Sequence, residues 1–333
     1  MPWHGMLISI LIPTRNRIQY LESSLASALA QECVDIEVLV SDDGSTDGTV
    51  DYVRTLAATD SRLRLLTDNP NPGIFENVEH LIAAASGDAF TILGDDDLLD
   101  PEFCRRLAGP MEADPSVVLS FCDHRTIDGK GNLMAGETRE ISRTYGRATL
   151  PDGVLAEPEL VALRGGIWLG FALYRRSVFG SERFDRACET AADWDLAIRA
   201  SQRGRLNYVA AMLGSYRDHR DSASRRGLRN ESGLAIRVLS KHVMQDFRAE
   251  QVRKVMLRAA AKRNAYQMAA LDRAAARRSL RLYAQLGGGP WSLHIVAARV
   301  MLVLPRRVAS WMRTAVSSIA AAVRRLRRIV RPA

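Results

Sequence analysis

Ala89-Phe90-Thr91-Ile92-Leu93-Gly94-Asp95-Asp96-Asp97 decides how the rest of this chain is read. Five residues suited to a buried strand run without a break into a glycine and three adjacent carboxylates. Three such charges repel one another, and folding gains nothing from them unless a cation or a set of donors meets them. Oxygen-only ligands point to a hard divalent ion, Mg²⁺ or Mn²⁺, of the kind that also binds substrate phosphates. The competing reading is an acidic turn in which Asp97 or Asp100 caps a helix beginning near Pro101.

Working outward, the same pattern recurs. Leu7 to Ile12 is a continuous apolar run ended by Pro13-Thr14-Arg15-Asn16, and Ile36 to Val40 is another, ended by Asp42-Asp43-Gly44-Ser45. Further strands are predicted over Arg62–Thr67, Ala89–Leu93 and Val117–Phe121, with helices over Tyr20–Gln31, Thr49–Leu56 and Asn77–Ala85. Strands alternating with helices at this spacing predict an α/β fold built on a mostly parallel sheet. Ligands of such sheets bind beyond the carboxyl ends of the strands, where all three polar clusters lie. None of them is a G-x-G-x-x-G or G-x-x-x-x-G-K-[ST] loop, which disfavours a dinucleotide oxidoreductase and a P-loop NTPase. Residues 123–187 are less regular, with Gly165 to Phe171 reading as a glycine-punctuated strand or loop near a ligand surface.

Composition divides the chain. Its 333 residues hold 47% hydrophobic and 25% charged residues, ordinary for a globular protein with a full core. Net charge is +8, but from Asn230 onward 21 basic residues face 4 acidic ones, giving +17 there and −9 over residues 1–229. The expected organisation is a domain over 1–222, with halves of about 1–122 and 123–222, followed by a basic helical region over 223–333. Asp221 to Gly227 reads as a link, Gly233 to Leu286 as Ala/Arg/Leu-rich helix, and Gly287-Gly288-Gly289-Pro290 as its break. Over Arg306–Arg331, Val308, Met312, Ala315, Ile319, Val323 and Leu326 recur at three- and four-residue intervals among arginines, predicting an amphipathic cationic helix. It suits an anionic membrane surface. Packing on the domain or a coiled-coil contact in a homo-oligomer are the alternatives, and sparse aromatics disfavour nucleic acid. The four cysteines are scattered and read as reduced thiols, and the N-terminus lacks the basic start of a cleaved signal peptide. No apolar stretch is long enough to span a bilayer. The expectation is a cytoplasmic protein, peripheral on the inner face of the cell membrane.

Six segments in order resemble the family 2 glycosyltransferases of the GT-A fold over residues 6–222. They are Ile10–Arg17, Glu37–Thr49, Asn71-Pro72-Gly73 with Asn77, Leu93–Asp97, Ala192–Leu196 and Tyr216–His219. The resemblance implies an inverting, metal-dependent transfer from a nucleoside diphosphate sugar to a hydroxyl of a glycan or lipid-linked acceptor, in bacterial surface polysaccharide or glycolipid assembly. It puts Pro13, Arg15, Asn16, Asp43 and Asn77 at the nucleotide sugar. Asp43 would accept a hydrogen bond from the base, which favours a pyrimidine. Asp95 would meet the ribose; Asp96, supported by Asp97, would hold Mg²⁺ or Mn²⁺; and His219 would close over metal or diphosphate. Asp193 is the implied catalytic base, taking the acceptor hydroxyl proton. Two family acids are replaced, by Gly94 and by Ala192.

Each residue has a plainer use. Asp42 and Asp43 suit a turn, Asp193 a helix start, and Arg15 and Asn16 a solvated loop. Asp47 reads as a cap and Asp195 as structural, while Trp168, Phe171 and Trp194 serve equally as core or as sugar-stacking platforms. Two rival functions stay open: a nucleotidyltransferase of the same fold, and a non-catalytic nucleotide-sugar- or glycan-binding protein at the membrane.

Overall fold

The computed structural model describes residues 5–32, 35–67, 73–179, 181, 184–219 and 231–314. Two compact units divide the chain, Met1–Arg226 and Gly227–Ala333.

The first unit is a nine-stranded mixed sheet flanked by helices. Its strands are β1 Leu7–Thr14, β2 Asp35–Asp42, β3 Leu63–Leu66, β4 Ala89–Ile92, β5 Leu98–Leu99, β6 Val117–Asp128, β7 Gly153–Val154, β8 Ala172–Arg175 and β9 Arg205–Asp218. The order is β3-β2-β1-β4-β8-β6-β9-β5, with β7 also on β9. β1 and β2 run in register from Leu7 opposite Asp35 to Thr14 opposite Asp42, and every residue of β1 past Leu7 is buried. Burial on both faces is why these strands read as continuous apolar runs rather than alternating ones. The crossovers are α1 Ile18–Leu29, α2 Thr49–Ala57 and α3 Ile74–Ala84, whose apolar faces cover the sheet. Leu21, Leu25 and Ala28 of α1 join Ile8, Ile10, Ile12, Val38 and Val40 in one core.

Beyond β4 the sheet departs from an all-parallel arrangement. β8 inserts antiparallel between β4 and β6, and β6 pairs in parallel with β9 over most of its length. Val117–Phe121 was expected as a five-residue strand; the strand continues to Asp128. After α4 Phe103–Ala113, the irregular middle contains α5 Ala135–Thr144, α6 Pro158–Leu163 and the short α7 Arg176–Phe179, then α8 Ala192–Ser201.

One buried ion pair ties that middle to the sheet. Asp123 on β6 accepts from Arg147 Nε at 2.7 Å and from the Ser142 hydroxyl, and Arg147 Nη1 donates to Gly166 O at 2.8 Å. The two side chains are 1% and 7% exposed. The guanidinium also lies 5.6 Å from the ring centroids of both Tyr145 and Trp168. Arg147→Met leaves the Asp123 charge buried and unpaired, and is expected to cost about 3–5 kcal/mol, read as a lower urea midpoint. Adding Asp123→Leu should restore most of that loss; no recovery in the double variant would show that the pair is not the cause.

The second unit is helical: α9 Glu231–Lys241, α10 Phe247–Met268, α11 Arg273–Gln285 and α12 Leu293–Val303, with residues 306–314 also helical. The single helix expected over 233–286 is therefore three. Asp246 and Asp272 are the reason, since their carboxylates accept from Ala249 N at 2.7 Å and from Ala274 N at 2.9 Å, starting new helices. The glycine break falls where expected, and Ser292 caps α12. Among the described residues no helix is long and apolar enough to cross a membrane. The link at 221–227, Asn71 and Pro72, Cys33, and the cationic helix from residue 315 onward lie outside the described residues. The other three cysteines are buried thiols outside any disulfide.

Candidate active site

β1, β2 and β4 end side by side, so the polar residues that follow them form one rim. After β1 the chain turns at Asn16, whose φ of +52° is left-handed, a conformation that asparagine tolerates better than most residues. Asn16 N donates to Ser45 Oγ at 2.7 Å and its Oδ1 accepts from Thr46 N at 2.7 Å, stapling the loop after β1 to that after β2. Asp47 accepts from Ile18 N and Thr49 N, the cap expected of it.

Asp43 lies under this rim, buried, with Oδ2 3.3 Å from Arg15 Nη1 and Oδ1 3.3 Å from Gly73 N. Arg15 is half-exposed, and buried Pro13 ends the apolar run of β1 opposite Ser41. Asn77 sits behind the rim at 1% exposure, donating to Ser41 O at 3.0 Å. Two buried acceptors here lack a donor, Asp42 Oδ1 and Asn77 Oδ1. An unsatisfied buried acceptor costs free energy that an incoming N–H can recover.

The carboxylate cluster follows β4. Asp95 Oδ2 accepts from Thr14 Oγ1 at 2.9 Å. Asp97 is buried and its Oδ1 accepts from Arg217 N at 2.8 Å, while Arg217 Nε donates to Asp96 O at 2.8 Å. Asp96 is met by His219, with Nε2 2.8 Å from its Oδ2, and by Arg17 Nη1 at 3.7 Å from the same oxygen. Tyr20 stacks under this group, its ring 4.8 Å from that of His219 and 5.3 Å from Arg217 Cζ. Burial and the neighbouring Asp96 charge push the Asp95 carboxyl up to about 7, and the same causes raise Asp97 well above the carboxylate range. The charged form of both carboxyls is thus disfavoured here, and a cation brought beside them would favour it. Gly94 also has a steric reason: a Cβ there would lie 3.0 Å from Asp96 Oδ1 and from Asp97 Oδ2, so an acid in its place would crowd both.

No group of three or more His, Cys, Asp and Glu among the described residues is arranged to enclose a metal ion. A divalent ion that takes one or two protein ligands and fills its shell with phosphate oxygens and water does not require one. Asp96 with adjacent His219, beside two carboxyls whose charged forms a cation would favour, fits such an ion.

Asp193 stands in the first turn of α8, apart from the cluster. Its Oδ1 accepts from Trp194 N at 2.7 Å, and Trp194 Nε1 donates to Ala162 O at 3.0 Å, fixing the helix start. The carboxylate borders a cavity of about 420 Å³ with walls from α3, Leu169 and Phe184. Burial raises its carboxyl to about 6, more than the hydrogen bond from Trp194 N lowers it. Leu169 connects the two regions, because its neighbour Gly170 abuts the cluster: a Cβ on Gly170 would lie 3.9 Å from Asp97 Oδ2. Asp195 is fully buried and paired with Arg199 at 3.0 Å, structural as read. Four residues at the cluster carried no role in the sequence: Thr14, Arg17, Tyr20 and Arg217. Only Arg17 and Arg217 had a signal, as cations inside two of the quoted segments.

The sequence and the fold are similar to those of known proteins. A family model described as "Glycosyl transferase family 2" matches residues 9–181. A chondroitin synthase from Pasteurella multocida is 25% identical over 223 residues, covering 67% of this chain and 22% of the relative. A Campylobacter jejuni protein named GalNAc(5)-diNAcBac-PP-undecaprenol beta-1,3-glucosyltransferase is 29% identical over 54% of each chain. The chain spans 22%, 21% and 28% of the length of three curated synthases that it matches. Among solved structures, residues 1–349 of S. aureus TarS with UDP-GlcNAc superpose with a TM-score of 0.65 at 13% identity, covering 94% of this chain and 92% of that one. A mannosyltransferase from Pyrobaculum calidifontis with GDP-Man and Mn²⁺ gives 0.58 at 19% identity, covering 98% and 88%. The fold is that of the GT-A glycosyltransferases, and the chain belongs to glycosyl transferase family 2.

Proposed function

We propose that this protein is an inverting glycosyltransferase that moves a sugar from a nucleoside diphosphate sugar to a hydroxyl of a glycan or lipid-linked acceptor. The observation that carries the reading is the link through Leu169 and Gly170 between the carboxylate cluster and a cavity bordered by a separate carboxylate, Asp193. One region suits the diphosphate side of a donor; the other suits a proton acceptor facing a second substrate.

The chemistry is a single displacement. The acceptor oxygen attacks C1 of the sugar while the bond from C1 to the diphosphate oxygen breaks, and the nucleoside diphosphate leaves with the electron pair. The hydroxyl proton passes to Asp193. Asp43, already an acceptor for Arg15 and Gly73 N, suits the ring N–H of a uracil or thymine, with Asp42 Oδ1 and Asn77 Oδ1 as further acceptors nearby. Thr14 holds Asp95 toward the ribose side. Asp96 and His219 are the residues that would hold Mg²⁺ or Mn²⁺, and Asp97, tied to Arg217 N, supports them from behind. When bound, the ion offsets charge on the diphosphate. Arg17 and Arg217 bring positive charge to the same place.

Relatives support the setting. The Campylobacter relative carries a PP-undecaprenol-linked substrate in its name, and the chondroitin synthases point to polysaccharide assembly. We propose that the protein acts in bacterial surface polysaccharide or glycolipid assembly, on the cytoplasmic side of the membrane, held there by the basic C-terminal region.

A thermal-shift screen of UDP, dTDP, GDP and ADP and their sugars, with and without Mn²⁺, tests the donor side. A ligand at a hundred times its Kd adds about 2.7 kcal/mol to stability. Stabilisation by a pyrimidine nucleotide that grows with Mn²⁺ is expected. Equal response to purine nucleotides would overturn the base preference, and indifference to Mn²⁺ would overturn the metal.

A further inference from the structure

The cavity beside Asp193 has a chemical bias that bears on the second substrate. Ile74, Phe75 and Val78 of α3 line it together with Leu169 and Phe184, and the Phe75 and Phe184 rings pack on each other with centroids 6.1 Å apart. Ile74 is 60% exposed, so the apolar surface continues out to the rim. Among the described residues, the polar side chains that line it are Asp193, Glu189 and Thr190. One Asp193 oxygen is already occupied by Trp194 N. Glu189 is held at φ +46° and ψ −127°, a backbone conformation that costs a non-glycine residue strain and that fixes where its side chain leaves the chain.

A fully hydroxylated hexose brings four or five groups that each need a partner. Asp193 takes the attacking hydroxyl, and Glu189 and Thr190 serve one or two more. Any other hydroxyl pressed on Phe75, Val78, Leu169 or Phe184 loses water and gains nothing in return. An apolar group of the same size gains on entering. At about 420 Å³ the cavity falls in the range that holds a small ligand, enough for one ring and an apolar substituent.

We propose that the acceptor enters this cavity through a hydroxyl-poor moiety, so that the oxygen facing Asp193 is carried on or beside an apolar group. Two sources offer that chemistry, a deoxy-sugar with its methyl group and an aryl ring attached to the acceptor. The inference rests on Asp193 being the base.

The test uses the full chain and matched acceptor pairs: methyl 6-deoxyhexosides against the corresponding methyl hexosides, and phenyl against methyl glycosides. Binding is read without donor by saturation-transfer NMR, and turnover with the donor found in the nucleotide screen. The hydroxyl-poor member of at least one pair is expected to win by roughly tenfold or more in both readouts; the winning pair names the source. Val78→Thr, which adds a hydroxyl to the wall at nearly constant size, should shrink that ratio about threefold or more on the same scale; Phe75→Tyr serves if that variant does not fold. Equal or reversed preference in both pairs overturns the proposal, as does a ratio untouched by the wall variants. Asp193→Asn separates the two readings. Normal turnover in that variant sinks the base assignment, whereas binding preference without turnover supports both.

Discussion

Asp193→Asn is expected to reduce transfer by roughly 10²–10⁴-fold, the usual contribution of a positioned general base, while donor affinity and fold stay as they were. Asparagine keeps the shape of the side chain and an oxygen for Trp194 N, so the start of α8 is preserved. What it loses is the ability to take a proton. The pH profile separates this from a structural role. A base works when deprotonated, and the cavity walls raise this carboxyl to about 6, from an ordinary value near 3.8. Turnover should therefore climb with pH through about 6 and level off above it, rather than reach its plateau by pH 5. Residual activity in the asparagine variant should lack that limb. Near-normal turnover, or an unchanged acid limb, would remove Asp193 from the role.

The parts of this site that were legible in the sequence are those built from neighbours along the chain. An apolar run that stops at a polar cluster, as at Ile12-Pro13, Val40-Ser41-Asp42 and Leu93-Gly94-Asp95, marks a buried strand end whatever its partner, and the sheet places all three together. Long-range convergence left fainter traces. Nothing local announces that β8 would insert antiparallel between β4 and β6. It was the resemblance, not the spacing, that brought His219 to the carboxylates, where it meets Asp96 across 123 positions of sequence. Arg17 and Tyr20 carried no role in the sequence, and their partners, Asp96 after β4 and His219 after β9, lie far along the chain. In the second unit the signal was present but subtle: Asp246 and Asp272 interrupt an Ala/Arg-rich string as N-caps, and composition had smoothed them into one helix. Gly94 shows the reverse case. The sequence registered a missing acid, and the 3.0 Å approach of two carboxylates supplies the reason.

Asp96→Ala should separate function from stability at the cluster. Transfer is expected to fall by roughly 10²–10³-fold or more, the scale seen when charge stabilisation of a leaving oxygen is lost, and the Mn²⁺-dependent thermal shift with nucleotide should vanish. The free protein, by contrast, is expected to keep its Tm or gain slightly. Asp96 is a like charge beside both Asp95 and Asp97, and its field is one reason that both carboxyls stand above their ordinary range. Deleting it removes that repulsion at two sites, one of them buried. Against this gain, alanine no longer pairs with Arg17, whose guanidinium is 3.7 Å from the Asp96 oxygen, or with buried His219, although Arg17 Nη1 lies 3.1 Å from His219 Nε2 and leaves that ring a partner. Losing a hydrogen bond of that kind costs about 1–2 kcal/mol, which the relieved repulsion offsets. A side chain whose removal leaves the fold intact or steadier while ending metal-dependent ligand binding is kept for the ligand. A large drop in the Tm of the free protein would instead make Asp96 a structural anchor for the loop after β4, and an intact Mn²⁺-dependent shift would move the metal to other residues.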